Sequence, residues 1–140
     1  MDAYRYLLDT NILSALIRNP QGPIFKQLNT RLPATACTSI VVAAELRFGL
    51  SKGVSERLRT QVEKVLATID ILPLDRPIDE HYGEIRAYLQ KRGTPIGHND
   101  LFIAAHACAL GLTLVTENVR EFARVPNLAI ENWLDIRWDG

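Results

Sequence analysis

"YRYLLDTNILSALI", residues 4–17, places a single acid, Asp9, between two apolar runs. Tyr6-Leu7-Leu8 reads as a short buried strand, and Ile12-Leu13-Ala15-Leu16-Ile17 as the apolar face of a helix. Asp9-Thr10-Asn11 between them supplies turn and N-cap chemistry, because short polar side chains accept bonds from the free amides of a helix start. Two roles are therefore open to Asp9. It starts the helix, or it sits at the carboxyl end of a parallel strand, where open α/β sheets place their ligands.

Outward from that segment, helical and strand patterns alternate. Gly22-Pro23 is a start signal for a helix over the following IFKQLN. Ala36 to Ser39 is apolar and β-branched, a strand, and Ser39 is placed to cap a helix from Val41 to Leu50. Leu58, Val62, Val65, Leu66 and Ile69 follow at helical spacing behind a capping Ser55. In ILPLD, Pro73 assigns a short strand to a sheet edge, since proline cannot donate to a ladder. PIDEHYGEIRAYLQKRG is amphipathic and stops at Gly93. Leu101 to Leu110 is apolar almost all round, the mark of a helix buried on most sides. Gly111 ends it; LTLVT reads as a strand, VREFARV as a helical turn or two, and NLAIENW as a last strand. Such alternation implies an α/β fold, a mostly parallel sheet with helices on both faces, in one domain over residues 1–140.

Sixteen basic residues balance sixteen acidic ones, which excludes a protein that coats nucleic acid through bulk charge. A local basic rim remains open, from Arg47, Lys52, Arg57, Arg59 and Lys64 early in the chain to Arg120 and Arg124 late, although solvated helix faces are the usual fate of such clusters. Cys37 and Cys108 lie in apolar segments without metal-ligand spacing and read as buried free thiols. No apolar run approaches the roughly 20 residues that span a bilayer, and Met1 to Tyr6 lacks the pattern of a leader. A cytoplasmic protein that does not engage a membrane is expected.

The informative residues are acids in unexpected places. Glu45 lies in the apolar stretch SIVVAAELRFGL, and Asp100 follows Asn99 at the head of the buried helix, where capping alone would account for it. In a parallel sheet, Asp9, Glu45 and Asp100 can all meet at the carboxyl edge. Converging carboxylates repel unless a cation neutralises them or one takes up a proton. Oxygen ligands suit a hard cation such as Mg²⁺, which typically takes one or two carboxylates and keeps several waters. The three histidines, His81, His98 and His106, are scattered; His106 reads as a hydrogen-bonded core residue and His98 as a loop residue beside the site. Such an acid cluster fits phosphodiester hydrolysis, with a carboxylate of raised pKa taking a proton from the attacking water. There is no G-x-S-x-G elbow and no glycine-rich phosphate loop. A receiver-like signalling domain would need adjacent acids in LLDTNIL and a lysine in LVTENVREF, and has neither.

Four stretches, LLDTNIL, AAELRFG, GTPIGHNDLFIAAHA and LTLVTENVREFARVPNLAIENW, resemble in order and spacing the signatures of PIN-domain ribonucleases, above all the VapC-type toxins of bacterial toxin–antitoxin pairs. The resemblance runs from Tyr6 to Trp133. It implies a three-layer α/β fold around a sheet of about five strands, and a Mg²⁺-dependent endoribonuclease, with Mn²⁺ able to substitute, that inhibits translation or growth. The family's three acids match Asp9, Glu45 and Asp100, and Thr10 is similar to a hydroxyl that supports the metal's water shell. Where many PIN domains carry a fourth acid, this chain has Asn118, with Glu117 just before it, which leaves a second tightly bound metal unsupported. The resemblance further implies a homodimer, for which Leu46, Phe48, Leu50, Leu58, Val62 and Leu66 offer apolar helical surface, although most of them fit a core equally well. It also implies a cognate VapB-type antitoxin that forms a larger complex, its basic tail entering the acid pocket and covering apolar surface near Phe48 and Leu50.

Overall fold

A computed structural model describes residues 4–31 and 35–135; the leader reading at Met1–Ala3 lies outside them. The elements run β1 (Tyr6–Leu8), α1 (Thr10–Arg18), α2 (Pro23–Thr30), β2 (Ala36–Ser39), α3 (Ile40–Leu50) and α4 (Glu56–Thr68), then β3 (Asp70–Leu72), α5 (Ile78–Lys91), α6 (His98–Leu110), β4 (Thr113–Val115), α7 (Val119–Phe122) and β5 (Ile130–Glu131). The strands form one sheet in the order β3-β2-β1-β4-β5, and every pairing is parallel.

β1 is the central strand. Leu7 pairs with Cys37 on one side and Leu114 on the other, and Leu7, Leu8, Leu114 and Val115 are wholly buried. Their continuous apolarity follows, because a parallel strand between helical layers has no solvent face. β3 is an edge strand and Pro73 follows it directly, where a missing N–H costs no ladder bond. Gly111 caps α6 at φ 67°, a left-handed conformation that lets the buried helix turn straight into β4.

Several boundaries differ from the sequence reading. α1 begins at Thr10, a turn's start earlier than its apolar face. The last strand is only Ile130–Glu131, and His98 is not in a loop but is the first residue of α6. Of the six residues read as apolar surface, Leu46, Leu50, Val62 and Leu66 belong to the core, Leu58 is half-buried, and Phe48 alone is exposed, at 66%. Helical spacing shows which residues share a face, not whether the fold or a partner covers it. Neither cysteine is in a disulfide; Cys37 is buried and Cys108 half-buried.

One cluster ties α2 to the far sheet edge. The Arg31 guanidinium lies 4.8 Å from the Tyr6 ring centre and 4.4 Å from that of Trp133, and bonds the Tyr6 hydroxyl at 3.1 Å. Stacking on aromatic faces suits arginine, whose planar cation is weakly hydrated.

Candidate active site

Strand order reverses between β1 and β4: from β1 the chain moves to β2 and β3, then returns to the other side. The carboxyl ends of β1 and β4 therefore flank a crevice of the kind in which open parallel sheets bind ligands. Asp9 lies there, at the end of β1, and its backbone N–H bonds Val115 O at 2.9 Å. Both roles left open by the sequence hold at once. Asp9 is the N-cap of α1, accepting from the Thr10 amide at 2.8 Å, and it stands at the strand edge.

Asp9 is 4% exposed. Its carboxylate also accepts from the Thr116 hydroxyl at 2.7 Å and the Asn11 side-chain amide at 3.3 Å. Burial pushes its pKa up and the Glu45 charge adds to this, while the three donors pull it down. Thr116 in turn accepts from the Asn118 amide at 3.0 Å, and Asn11 accepts from the Glu117 amide at 2.9 Å. The loop after β4 is thereby stitched to the turn after β1.

Glu45 is half-buried on α3. One of its oxygens accepts from the Thr10 hydroxyl, the other from the Asn99 side-chain amide at 3.3 Å. This answers how an acid survives in so apolar a helix: it projects from the helix edge onto polar donors of two other elements. Asp100 is the third residue of α6, whose N-cap is Gly97, so it does not cap that helix. Burial pushes its carboxyl up to about 7, and the charges of Glu121, Asp9 and Glu45 push the same way.

Glu121 is the acid that sequence reasoning missed. It lies on α7, receives a bond from the Asn118 side chain, and is the strongest of the like charges felt by Asp100. Glu117 is exposed and is not among the charges acting on Asp100. A signal was present: Asn118-x-x-Glu121 has the spacing of a helix-start pair, which directs the acid back toward the first turn. Asn99, Asn11 and Thr116 also escaped, because amides and hydroxyls in turns carry no charge pattern.

Glu45, Asn99, Asp100, His98, Gly97 and Ile96 line an open cleft of about 610 Å³. Among the described residues no three His, Cys, Asp or Glu side chains form a closed ligand set for one ion. The donor chemistry nevertheless fits a hydrated hard cation. Such an ion binds one or two carboxylates directly and meets others through its waters. Burial and the neighbouring charges together hold a proton on Asp100, and a cation would relieve the repulsion among those charges.

The raised Asp100 carboxyl predicts a pH signature. The folded-state pKa of Asp100, about 7, exceeds its ordinary value of 3.8, so the folded state holds the proton more tightly. Stability is highest below the unfolded value and falls as pH rises through about 7. Urea denaturation in a chelator at about pH 5 and pH 8 should show a loss of roughly 1–2 kcal/mol, discounted for the solvent screening of a half-exposed group. Asp100→Asn should remove most of it. An equal loss in the variant would assign the effect elsewhere.

A family profile described as the PIN domain matches residues 6–128. The ribonuclease VapC2 of Rickettsia felis is 38% identical over 130 residues, which cover 91% of this chain and 97% of that protein. The tRNA(fMet)-specific endonuclease VapC of Salmonella typhimurium is 37% identical over 130 residues, 92% of this chain and 98% of that one. The crystal structure of VapBC2 from Rickettsia felis, bound to a DNA fragment from its promoter, contains a chain that superposes with a TM-score of 0.86 at 38% identity, covering 91% of this chain and 98% of its own.

Proposed function

The chain belongs to the PIN-domain family, and on that premise we propose that it is a divalent-metal-dependent endoribonuclease, the toxin of a toxin–antitoxin pair, with residues 1–140 forming one PIN domain. The observation that carries this reading is the gathering of Asp9, Glu45 and Glu121 around Asp100, where their charges add to burial in raising the Asp100 carboxyl to about 7. The family relatives named as a ribonuclease and a tRNA-specific endonuclease supply the reaction class.

Asp9, Glu45 and Asp100 would hold Mg²⁺ or Mn²⁺. When bound, the ion supplies Lewis-acid polarisation of the scissile phosphate and offsets the charge that develops on it. The chain's own residues do the rest. Asp9 is fixed by three donors and cannot turn away from the crevice. Thr10 and Asn99 bracket the two oxygens of Glu45, setting its orientation. Asp100 and Glu121 together keep a proton in play at neutral pH, which suits exchange with an attacking water.

The partner is a cognate VapB-type antitoxin, by analogy with the relative solved as a VapBC complex. A negative pocket attracts an arginine as readily as a metal, and paired hydrogen bonds to carboxylates favour it. Phe48, the exposed member of the apolar set, is the natural anchor for that partner or for a second toxin copy. No helix among the described residues is long and apolar enough to cross a membrane.

Matched RNA and DNA oligonucleotides and a transfer-RNA panel test the reading. RNA should be cut endonucleolytically with Mg²⁺ or Mn²⁺ and left intact with chelator, and the DNA should survive. Intact RNA under all conditions would reduce the chain to a binding module.

A further inference from the structure

We infer that His106 is a positioning residue for this site: it holds Ser39, and through Ser39 it fixes α3 and α6 in the relative placement that brings Glu45 to Asp100. The inference rests on the function proposed above.

His106 and Ser39 are both wholly buried, and His106 Nδ1 lies 2.8 Å from Ser39 Oγ. Ser39 is the N-cap of α3, its Oγ accepting from the Val41 amide at 3.1 Å. A hydroxyl has one hydrogen, and with Oγ engaged as acceptor that hydrogen is free to go to Nδ1. His106 is then neutral, with its proton on Nε2, in keeping with a pKa lowered by burial against the opposing charge of Asp75. Nε2 itself has no partner among the described residues. An unpaired buried N–H is a cost that an apolar side chain of similar size would not carry. The ring is therefore poorly explained as filling for the core.

Its place in the fold explains it better. Ser39, the N-cap of α3, precedes Glu45 by six residues, and His106 follows Asp100 by six residues on α6. Along each helix axis the bond is roughly 9 Å from the acid. At the other end of the same stretch, Asn99 of α6 bonds Glu45 of α3 at 3.3 Å. Two polar ties thus pin an otherwise apolar helix pair at both ends. Apolar contacts are non-directional and tolerate sliding, whereas these bonds do not. A slip of one residue moves an acid by about 1.5 Å along the axis, and misplacement on that scale costs a reaction rate heavily.

The test compares His106→Leu, His106→Asn and Ser39→Ala with a remote core control, Leu66→Ala on α4. Asparagine places an acceptor near the Nδ1 position. His106→Leu and Ser39→Ala should each lower kcat about 10-fold with KM within about twofold, and the double variant should be no worse than either. They should weaken Mn²⁺ binding, read by titration without substrate, on the order of 10-fold, as loss of an outer supporting contact does. His106→Asn should recover most of both, and Leu66→Ala should lose thermal stability alone. If His106→Leu does not fold, Ser39→Ala carries the comparison. The inference is overturned if Ser39→Ala and His106→Leu behave like Leu66→Ala, or if His106→Asn rescues nothing. A wild type that neither cuts RNA nor binds Mn²⁺ overturns the proposed function as well, whereas an active wild type with indifferent variants overturns this inference alone.

Discussion

Asp9→Asn, Glu45→Gln and Asp100→Asn each lower the rate of RNA cleavage by about 10²-fold or more, because each removes one charge from a shared cation site while keeping the side chain's shape. Their effects on stability separate them. Like-charge repulsion alone says that all three should hold or gain stability without metal. Asp100→Asn follows that rule, since its carboxyl is the one pushed up to about 7. Asp9→Asn does not. Asp9 is buried and faces donors from Thr10, Asn11 and Thr116, and a carboxamide has only one acceptor oxygen to offer them. With one buried donor left unpaired, Asp9→Asn should be about 1–3 kcal/mol less stable than wild type. Single-turnover rates at saturating metal, beside urea midpoints in chelator, check both halves. Wild-type cleavage by any of the three removes that residue from the site.

Phe122→Ala has the largest expected effect on the fold that bears on the site. Phe122 is fully buried although α7 is only four residues long, so one ring anchors the element that carries Glu121. Truncation removes the transfer energy of the ring and leaves a cavity, together about 3–5 kcal/mol. Loosening α7 should also release Glu121 from Asp100, and with it part of the pH dependence of stability. Urea denaturation measures the first consequence. A midpoint close to wild type would mean that α7 frays on its own, outside the cooperative unit.

The sequence made the architecture readable because a buried parallel strand and an amphipathic helix leave different periods. Tyr6–Leu8, the Ser39 and Ser55 caps and the edge position implied by Pro73 all stand where those patterns put them. The all-parallel order and its reversal between β1 and β4 depend on long-range pairing and leave no local mark. The same limit explains Leu46, Leu50, Val62 and Leu66, whose spacing fits an interface or a core equally well. Within the site, Asp9 and Glu45 stood out because each interrupts apolar sequence, and Asp100 because it heads a buried helix. Glu121 did not, since an acid in VREF looks like any solvated helix residue until the fold brings it to Asp100. Uncharged supports such as Thr116, Asn99 and Ser39 are ordinary turn and cap residues in sequence, and only geometry shows what they hold.

That these acids share one divalent cation is the claim on which the rest depends. Calorimetric titration of the metal-free protein with Mn²⁺ at pH 7, in two buffers of different ionisation enthalpy, measures it without reference to any substrate. With the Asp100 carboxyl near 7, binding should release about half a proton per ion. Asp100→Asn should abolish that release and weaken binding about 10-fold or more, and Asp9→Asn should weaken it similarly. Mn²⁺ binding of undiminished strength in both variants, or none in the wild type, would contradict the account.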